Sequence, residues 1–313
     1  MSSPLVERWL AAGELDLPLP GSGRTAQRWR RLSELTETDV VAGRLAEAHT
    51  DAVAILAELH GPSPQPAQLW GVWAAESSAA VVCANGDGVD VTLDGTKVWC
   101  SGAGICTHAL VTARDDAGRR GLFAVDLSDR RVQPLAGNWH NAGMAGSDTR
   151  SVHFAGAPAV SVGAAGEYLD RPGFWHGAIG VSACWLGGAR AVAAPLYGRA
   201  ACDSADPHAL AHLGAVDAAI AAAEATLLAA ACQVDADPLN RERRAELIAR
   251  RARAVVETAV EEAIGRTGRA LGPGPLAQDA GHARRVADLT MYVRQSHAER
   301  DLAELGRLAG RLG

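Results

Sequence analysis

The sequence predicts an α+β protein of three successive regions. These are a shortened N-terminal helical region over 1–67, a central antiparallel β-barrel or sandwich over 68–158, and a C-terminal antiparallel four-helix bundle over 159–313. Three observations predict it. Apolar residues recur at helical spacing, change to alternation near residue 68, and return to helical spacing after about 158. No stretch of crossover-helix length separates the alternating segments, which favours antiparallel pairing. Long alanine-rich stretches with short links then complete the chain.

In the first region "TETDVVAGRLAEAHTDAVAILAEL" places Val40, Val41, Leu45, Ala48, Ala52 and Leu56 on one helical face. "HGPSPQPAQ" ends it with three prolines. In "GVDVTLDGTKVWCSG", Val89, Val91 and Leu93 alternate with Asp90 and Thr92, and Asp94-Gly95 is expected to form a hairpin turn. "THALVTAR", "RRGLFAVDL" and "TRSVHFAG" read as further strands, separated by "DDAG" and "AGMAGSD". The first bundle helix follows Pro172 and is rich in small residues that admit a close neighbour. The second opens with Asp206 as N-cap and Pro207 after it, and the third runs through "RERRAELIARRARAVVETAVEEAIGRTGRAL".

The last segment holds a puzzle. In "MYVRQSHAERDLAEL", Tyr292, Val293 and Ser296 share one helical face, whereas Ala298, Leu302 and Leu305 fall almost opposite. A break explains the switch: one helix ends near Arg294 and another starts with Ser296 as N-cap and Glu299 in a capping box. Backbone N–H groups converge at such a break, so it is either a structural junction or a catalytic corner.

Composition narrows the function. The net charge of −6 disfavours nucleic acid as the main partner, because phosphate binding needs concentrated basic surface. Lys97 is the only lysine, a bias that fits a GC-rich genome. Six cysteines without a C-x-x-C pair read as reduced, mostly buried thiols of a cytoplasmic protein. The first 20 residues lack a basic segment followed by an apolar run, so no signal peptide is expected. The apolar stretch 215–232 is interrupted by Asp217 and Glu224 and reads as a core helix rather than a membrane span. "HALAH" sets His208 and His212 one helical turn apart, where they could share a metal, but no glutamate follows in the manner of zinc proteases, so no metal is assigned.

Several segments resemble the acyl-CoA dehydrogenase family. "LDGTKVWCSGAG" is similar to the family's "NGTKxWITNG", and "GMAGSDTRSVHF" to its "GMRxSDTxxxxF". "GPGPLAQDAGHARRVADLTMYVRQSH" lies without a gap on "GGxGY…RDxRxxxIYEGT". The resemblance covers about 68 to 313; the family's N-terminal helical domain is longer than the one here.

The resemblance implies FAD, an acyl thioester bound to CoA or a carrier, an electron-transfer partner, and a homo-oligomer (dimer or tetramer) whose neighbouring bundles share each flavin site. Trp99 and Ser101 match positions along the isoalloxazine, where an indole packs on the ring and a hydroxyl donates to it. Trp99 reads equally as a strand residue buried under the bundle. Arg199 matches the arginine aimed at the flavin diphosphate, and otherwise is an exposed helix-end arginine. Gly272 and Gly274 match the glycine-rich bend at the diphosphate, and otherwise are a helix C-cap and a Pro-Gly turn.

The family's catalytic glutamate is missing. Ser296 stands in its place, and the alternative position on the first bundle helix, "FWHGAIG", holds no acid. A serine hydroxyl is not a base by itself near neutral pH. His176, His297 and Glu299 are the candidate substitutes, each with a structural reading beside the catalytic one. The expected function is a flavoprotein oxidoreductase acting on an acyl thioester or related small substrate with a non-standard base. The alternative is a catalytically inactive relative, flavin-binding or flavin-free, serving as a structural or partner-binding dimer.

Overall fold

The structure is a computed structural model that describes residues 2–78, 80–86, 88–137, 139–200 and 206–311. Helices α1 (Ser2–Ala11), α2 (Thr25–Thr38) and α3 (Val40–Glu58) open the chain. Seven strands follow among the described residues: β1 (Trp70–Trp73), β2 (Val82–Asn85), β3 (Asp90–Cys100), β4 (His108–Arg114), β5 (Arg120–Asp126), β6 (Val132–Pro134) and β7 (Arg150–Ser161). Then come α4 (Glu167–Asp170), α5 (Gly173–Ala200), α6 (Pro207–Ala236), α7 (Ala245–Leu271), α8 (Gly274–Gln278), α9 (Ala280–Tyr292) and α10 (Glu299–Gly310). The chain divides into two compact units. The first comprises Met1–Leu17, Leu45–His140 and Ala145–Phe174, and the second Pro18–Arg44, Asn141–Met144 and Trp175–Gly313.

The first unit is built on a barrel. Pairings β4–β2, β2–β3, β3–β7, β7–β5 and β5–β4 close a ring of five strands, with β1 added beside β4 and β6 beside β7. Alternation sorts the side chains: Leu93, Val111, Phe123, Val152 and Phe154 fill the interior. Their neighbours Leu110, Leu122 and Ala124 point outward and pack with Ile55, Leu56 and Tyr168. Two details differ from the sequence reading. The sheet is not wholly antiparallel, because β4 runs parallel to both β1 and β2. A long excursion through β3 lies between them, so no crossover helix is needed. Asp94-Gly95 makes no hairpin turn either: β3 continues straight through it. The register against β7 shifts there, from Leu93↔Ala157 to Asp94↔Ala155, which is a β-bulge. Gly95 has φ +121°, and a Cβ there would strike the Val81 carbonyl oxygen, so only glycine admits this approach of β2.

Lys97 lies in the same strand at 3% exposure. Its ammonium donates to Thr112 Oγ1 (2.6 Å), the Thr112 carbonyl (2.9 Å) and Glu76 Oε1 (3.3 Å). Arg114 and Arg120 reach the other oxygen of Glu76. Burial lowers the Lys97 pKa although Glu76 works against that.

In the second unit α5, α6, α7 and α9 form the bundle, and α2 lies against α5 and α6. Close approach depends on the small residues noted in α5: a Cβ on Gly187 would meet the Ser33 backbone, and one on Gly188 would meet Leu289. Arg253 donates to the Ala178 carbonyl (2.8 Å) and stacks 4.5 Å over Trp185, whose ring meets Tyr292 edge-on at 6.3 Å. The fourth expected helix is divided into α8, α9 and α10. Asp206 sits at the α6 N-cap position before Pro207, without a side-chain capping bond. The expectation of a core helix at 215–232 holds for one side of α6 only: Val216, Ile220 and Leu227 are buried, whereas Leu228 is 54% exposed. Of the cysteines, Cys100, Cys106 and Cys184 are buried, Cys83 and Cys232 exposed, and Cys202 lies outside the described residues.

Residues 141–144 dock onto α9. Asp288, 4% exposed, accepts from the Met144 N–H at 2.6 Å and from Arg284 at 3.3 Å. Burial raises the Asp288 pKa, so the native state holds this proton more tightly than the unfolded chain does. The associated stability is present at low pH and is lost as pH rises through the folded pKa. Asp288→Asn keeps an oxygen for Met144 and removes the buried charge. It is expected to be at least as stable as the parent at pH 7 in urea unfolding, with no advantage near about pH 3. Asp288→Ala leaves the Met144 N–H without this acceptor and should cost about 1–2 kcal/mol.

Candidate functional site

In the first unit a second bulge in β3 builds the most distinctive surface. Lys97 pairs with Val152 and Cys100 with Arg150, so Val98 and Trp99 stand opposite Ser151 alone. Trp99 takes φ +60°, a conformation rare for a bulky residue, and its side chain is turned outward at 60% exposure. Within its own unit, therefore, nothing covers most of the Trp99 ring. Trp139, from the loop after β6, meets it edge-on at 6.2 Å.

Beside these rings runs a chain of hydroxyls. Thr149 donates to Ser101 Oγ (3.0 Å), so its contact with Ser147 Oγ (2.8 Å) has Ser147 as donor. The direction Ser147→Thr149→Ser101 leaves the Ser101 hydrogen for an acceptor beyond this chain. The Ser101 carbonyl is fixed by the Trp73 indole N–H at 3.0 Å. Asp148, at φ +47°, pins the turn by accepting from Gly104 N–H (2.8 Å) and Arg150 (2.6 Å). An exposed indole, a second indole beside it and a spare hydroxyl donor suit a planar, largely apolar ring bearing nitrogen and oxygen acceptors. An isoalloxazine fits that description. Burial pushes the nearby Cys100 thiol up to about 12, which makes it an inert neighbour.

In the second unit the expected break is present: α9 ends at Tyr292, a 3₁₀ turn spans Val293–Gln295, and α10 begins at Glu299. The capping box is not as expected. Ala298, at φ +45°, is the residue before the helix, and the returning carboxylate is that of Asp301, which accepts the His297 N–H at 3.1 Å. Ser296 lies too far upstream to cap; its Oγ accepts the Ala298 N–H (3.1 Å) and donates to Glu257 Oε2 at 2.6 Å. Glu257 comes from the middle of α7 and keeps a side chain only 16% exposed. A carboxylate therefore does stand behind Ser296, supplied by another helix.

The other candidates are dispersed within this unit. His297 is exposed, with Nδ1 3.7 Å from Asp301. Glu299 is exposed in the first turn of α10. His176, 3% exposed, lines a separate cavity of about 220 Å³ with Asp237, Asn240 and Ile248 at the α6–α7 connection. Backbone N–H groups of Glu242 and Arg241 hold Asp237 below the usual carboxylate range. From Ile248 to Glu257 is nine residues, about 14 Å along α7, so His176 and Ser296 serve different places. Arg199 is exposed near the end of α5. Gly272 takes φ +69° as the α7 C-cap, and Gly274 begins α8; nothing packs within 4 Å of a Cβ placed on either. Among the described residues, no three His, Cys, Asp or Glu side chains gather as metal ligands.

Residues 74–157 match the middle domain of acyl-CoA dehydrogenases. No curated protein matches the chain. Among solved structures it is similar to butyryl-CoA dehydrogenase from Megasphaera elsdenii, at 17% identity over 98% of this chain and 89% of that one, with a TM-score of 0.81. Nitrososynthase from Micromonospora carbonacea var. africana gives 21% over 97% and 88%, with a TM-score of 0.79. FMN-bound TdsC, a dibenzothiophene monooxygenase from Paenibacillus sp. A11-2, gives 20% over 97% and 94%, with a TM-score of 0.76. The likeness to these structures is one of fold.

Proposed function

We propose that this divergent member of the acyl-CoA dehydrogenase fold family, whose residues 74–157 match the family's middle domain, is a flavin-dependent oxidoreductase. One observation carries the reading: Trp99 is held outward at a strained bulge next to a hydroxyl chain that ends on a spare donor. Trp99 and Trp139 would pack on the ring, and Ser101 would donate to one of its acceptor atoms. A bound flavin supplies a two-electron acceptor able to take a hydride. FAD is the form we favour, because Arg199 is exposed and a Cβ placed on Gly272 or Gly274 would meet nothing within 4 Å, which leaves that backbone open to a diphosphate. FMN, present in the TdsC structure, is the alternative that binding experiments separate.

For the substrate we propose an acyl thioester or a related small molecule, CoA- or carrier-bound, with an electron-transfer partner completing the cycle in the cytoplasm. The non-standard base in this reading is the Ser296–Glu257 pair. A substrate proton passes to Ser296 Oγ while the Ser296 proton passes to Glu257 Oε2, so the weak base acts with a carboxylate behind it. His297 is the second candidate, and His176, enclosed in its own cavity, is the third. A homo-oligomer, dimer or tetramer, belongs to the same proposal.

A second reading is supported by the same bond. Because Glu257 is engaged by Ser296 and no carboxylate replaces the missing one directly, oxygenation of a small substrate, which needs no α-proton abstraction, competes with dehydrogenation. Anaerobic mixing of the flavin-loaded protein with a panel of acyl-CoAs decides between them. Bleaching that Glu257→Gln slows at least tenfold supports dehydrogenation through the pair. No bleaching, with oxygen-dependent product formation from the chemically reduced protein, supports oxygenation. Bleaching equally fast in Glu257→Gln and Ser296→Ala removes the pair and leaves His297 to be tested.

A further inference from the structure

Two loops of the first unit carry the hydroxyl chain that ends on Ser101, and the bonds between them run in opposite senses. The turn after β3 gives its backbone N–H groups to the segment before β7. Gly102 donates to the Ser147 carbonyl (2.8 Å), Ala103 to the Asp148 carbonyl (3.2 Å) and Gly104 to the Asp148 carboxylate (2.8 Å). The side chains return the other way, from Ser147 to Thr149 at 2.8 Å and from Thr149 to Ser101 at 3.0 Å. Asp148 lies between Ser147 and Thr149 in sequence but takes no part in the chain, because its carboxylate oxygens accept from Gly104 and Arg150.

A hydroxyl has a single hydrogen. Ser147 uses its hydrogen on Thr149 and Thr149 uses its own on Ser101, so the chain leaves the Ser101 hydrogen unclaimed. Ser147 is 1% exposed, which keeps water from competing at the start of the chain. The Ser101 backbone is tied on both sides: its N–H donates to the Trp99 carbonyl (3.1 Å), and its carbonyl accepts from the Trp73 indole (3.0 Å). Backbone and hydroxyl are both held, so the remaining donor has little freedom to turn away. Each hydroxyl that accepts a bond also becomes a stronger donor, by about 10–30% per bond.

We infer that Thr149 is a positioning residue. By donating to Ser101 it makes Ser101 a fixed and strengthened donor, and so makes the site hold reduced flavin more tightly than oxidised flavin. The inference rests on the flavin reading above and adds what the site does to the potential of the cofactor. Its physical reason is electrostatic. Reduction adds two electrons to the ring, and a donor aimed at the ring's acceptor atoms binds the electron-richer form better. The midpoint potential of bound flavin, relative to free flavin, reports the ratio of these two affinities. For a two-electron couple the scale is about 30 mV per tenfold. A Thr149 that merely stitched the two loops together would change stability and leave this ratio alone.

The test is the midpoint potential of the flavin-loaded full chain against a reference dye, with the oxidised-flavin Kd measured alongside. Thr149→Val keeps the shape of the side chain without its hydroxyl. It should weaken reduced flavin at least threefold more than oxidised flavin, a fall of about 15 mV or more. Thr149→Ser keeps the hydroxyl and should restore the parent value. In a Ser101→Ala background Thr149→Val should lower the potential no further, because no hydroxyl is left for it to orient. An unchanged potential in Thr149→Val, or an equal fall with the Ser101 hydroxyl absent, overturns the inference while the flavin reading stands. Should Thr149→Val not fold, Ser147→Ala removes the first donor of the chain and carries the same test, with a smaller fall expected. A parent that binds neither FAD nor FMN at about 100 μM overturns reading and inference together.

Discussion

Replacing Trp99 with alanine is expected to weaken flavin binding about tenfold or more while leaving the fold intact. The two halves of this expectation have separate causes. The ring is 60% exposed, so truncation removes little from the core of the barrel. It also relieves the positive φ of a bulky residue, because alanine is less crowded there. Aromatic stacking on a planar heterocycle is worth about 1.4 kcal/mol or more, which is roughly tenfold in Kd. Ser101→Ala should add a smaller loss by removing the terminal donor of the Ser147→Thr149→Ser101 chain. Fluorescence titration of both variants, with unfolding curves as control, checks this. A Trp99→Ala protein that binds flavin as tightly as the parent would remove the ring from the site.

Lys97→Ala is expected to give the largest loss of stability in the first unit, about 3 kcal/mol or more in urea unfolding. The ammonium is buried and supplies donors to both oxygen groups of Thr112 as well as to Glu76. Its removal leaves a void in β3 and deprives the Thr112 carbonyl and Glu76 of a donor inside the barrel wall. Arg114 and Arg120 still hold Glu76, so the loss centres on Thr112. Lys97→Met fills the void and should recover roughly half of the loss, because a removed buried ion pair costs far less when volume is kept. Equal stabilities for the alanine and methionine variants would mean that packing contributes nothing here.

Much of the fold could be read in the sequence because burial imposes a period. Ala109, Val111 and Ala113 enter the barrel interior while Leu110 packs outside, an alternation visible in "HALVTAR". Asp94-Gly95 misled because the dipeptide supports a hairpin turn and a bulge equally well. The deciding factor, the carbonyl of Val81 pressing on Gly95, is a contact between strands that no local pattern reveals. The break after Arg294 was legible from the stripe that changes sides, but its cap was not. Ser296 and Glu299 have the right spacing, yet the Ser296 hydroxyl finds Glu257 and Ala298 instead, and Asp301 takes the capping role.

The candidate site was legible in part. Trp99 and Ser101 stand out through the family-like segment around them, whereas their partners do not. Trp139 and Thr149 lie 40 and 48 residues further along the chain and join them only through strand pairing and loop placement. Glu257 lies 39 residues before Ser296 on a charged helix face where nothing distinguishes it from Glu261 or Glu262. His176 is legible as a histidine near an empty acid position, but the structure sets it in a cavity with Asp237 and Ile248, away from the Glu257 carboxylate that stands behind Ser296.

The central claim is that the rim formed by Trp99, Trp139 and Ser101 receives an isoalloxazine. An absorption and fluorescence titration of the purified chain with FAD and with FMN tests it most directly. Saturable binding of one flavin per chain at micromolar concentration or below, with quenching of tryptophan emission that disappears in Trp99→Ala, is the predicted result. A protein that leaves the spectra of both flavins unchanged at about 100 μM would contradict the claim.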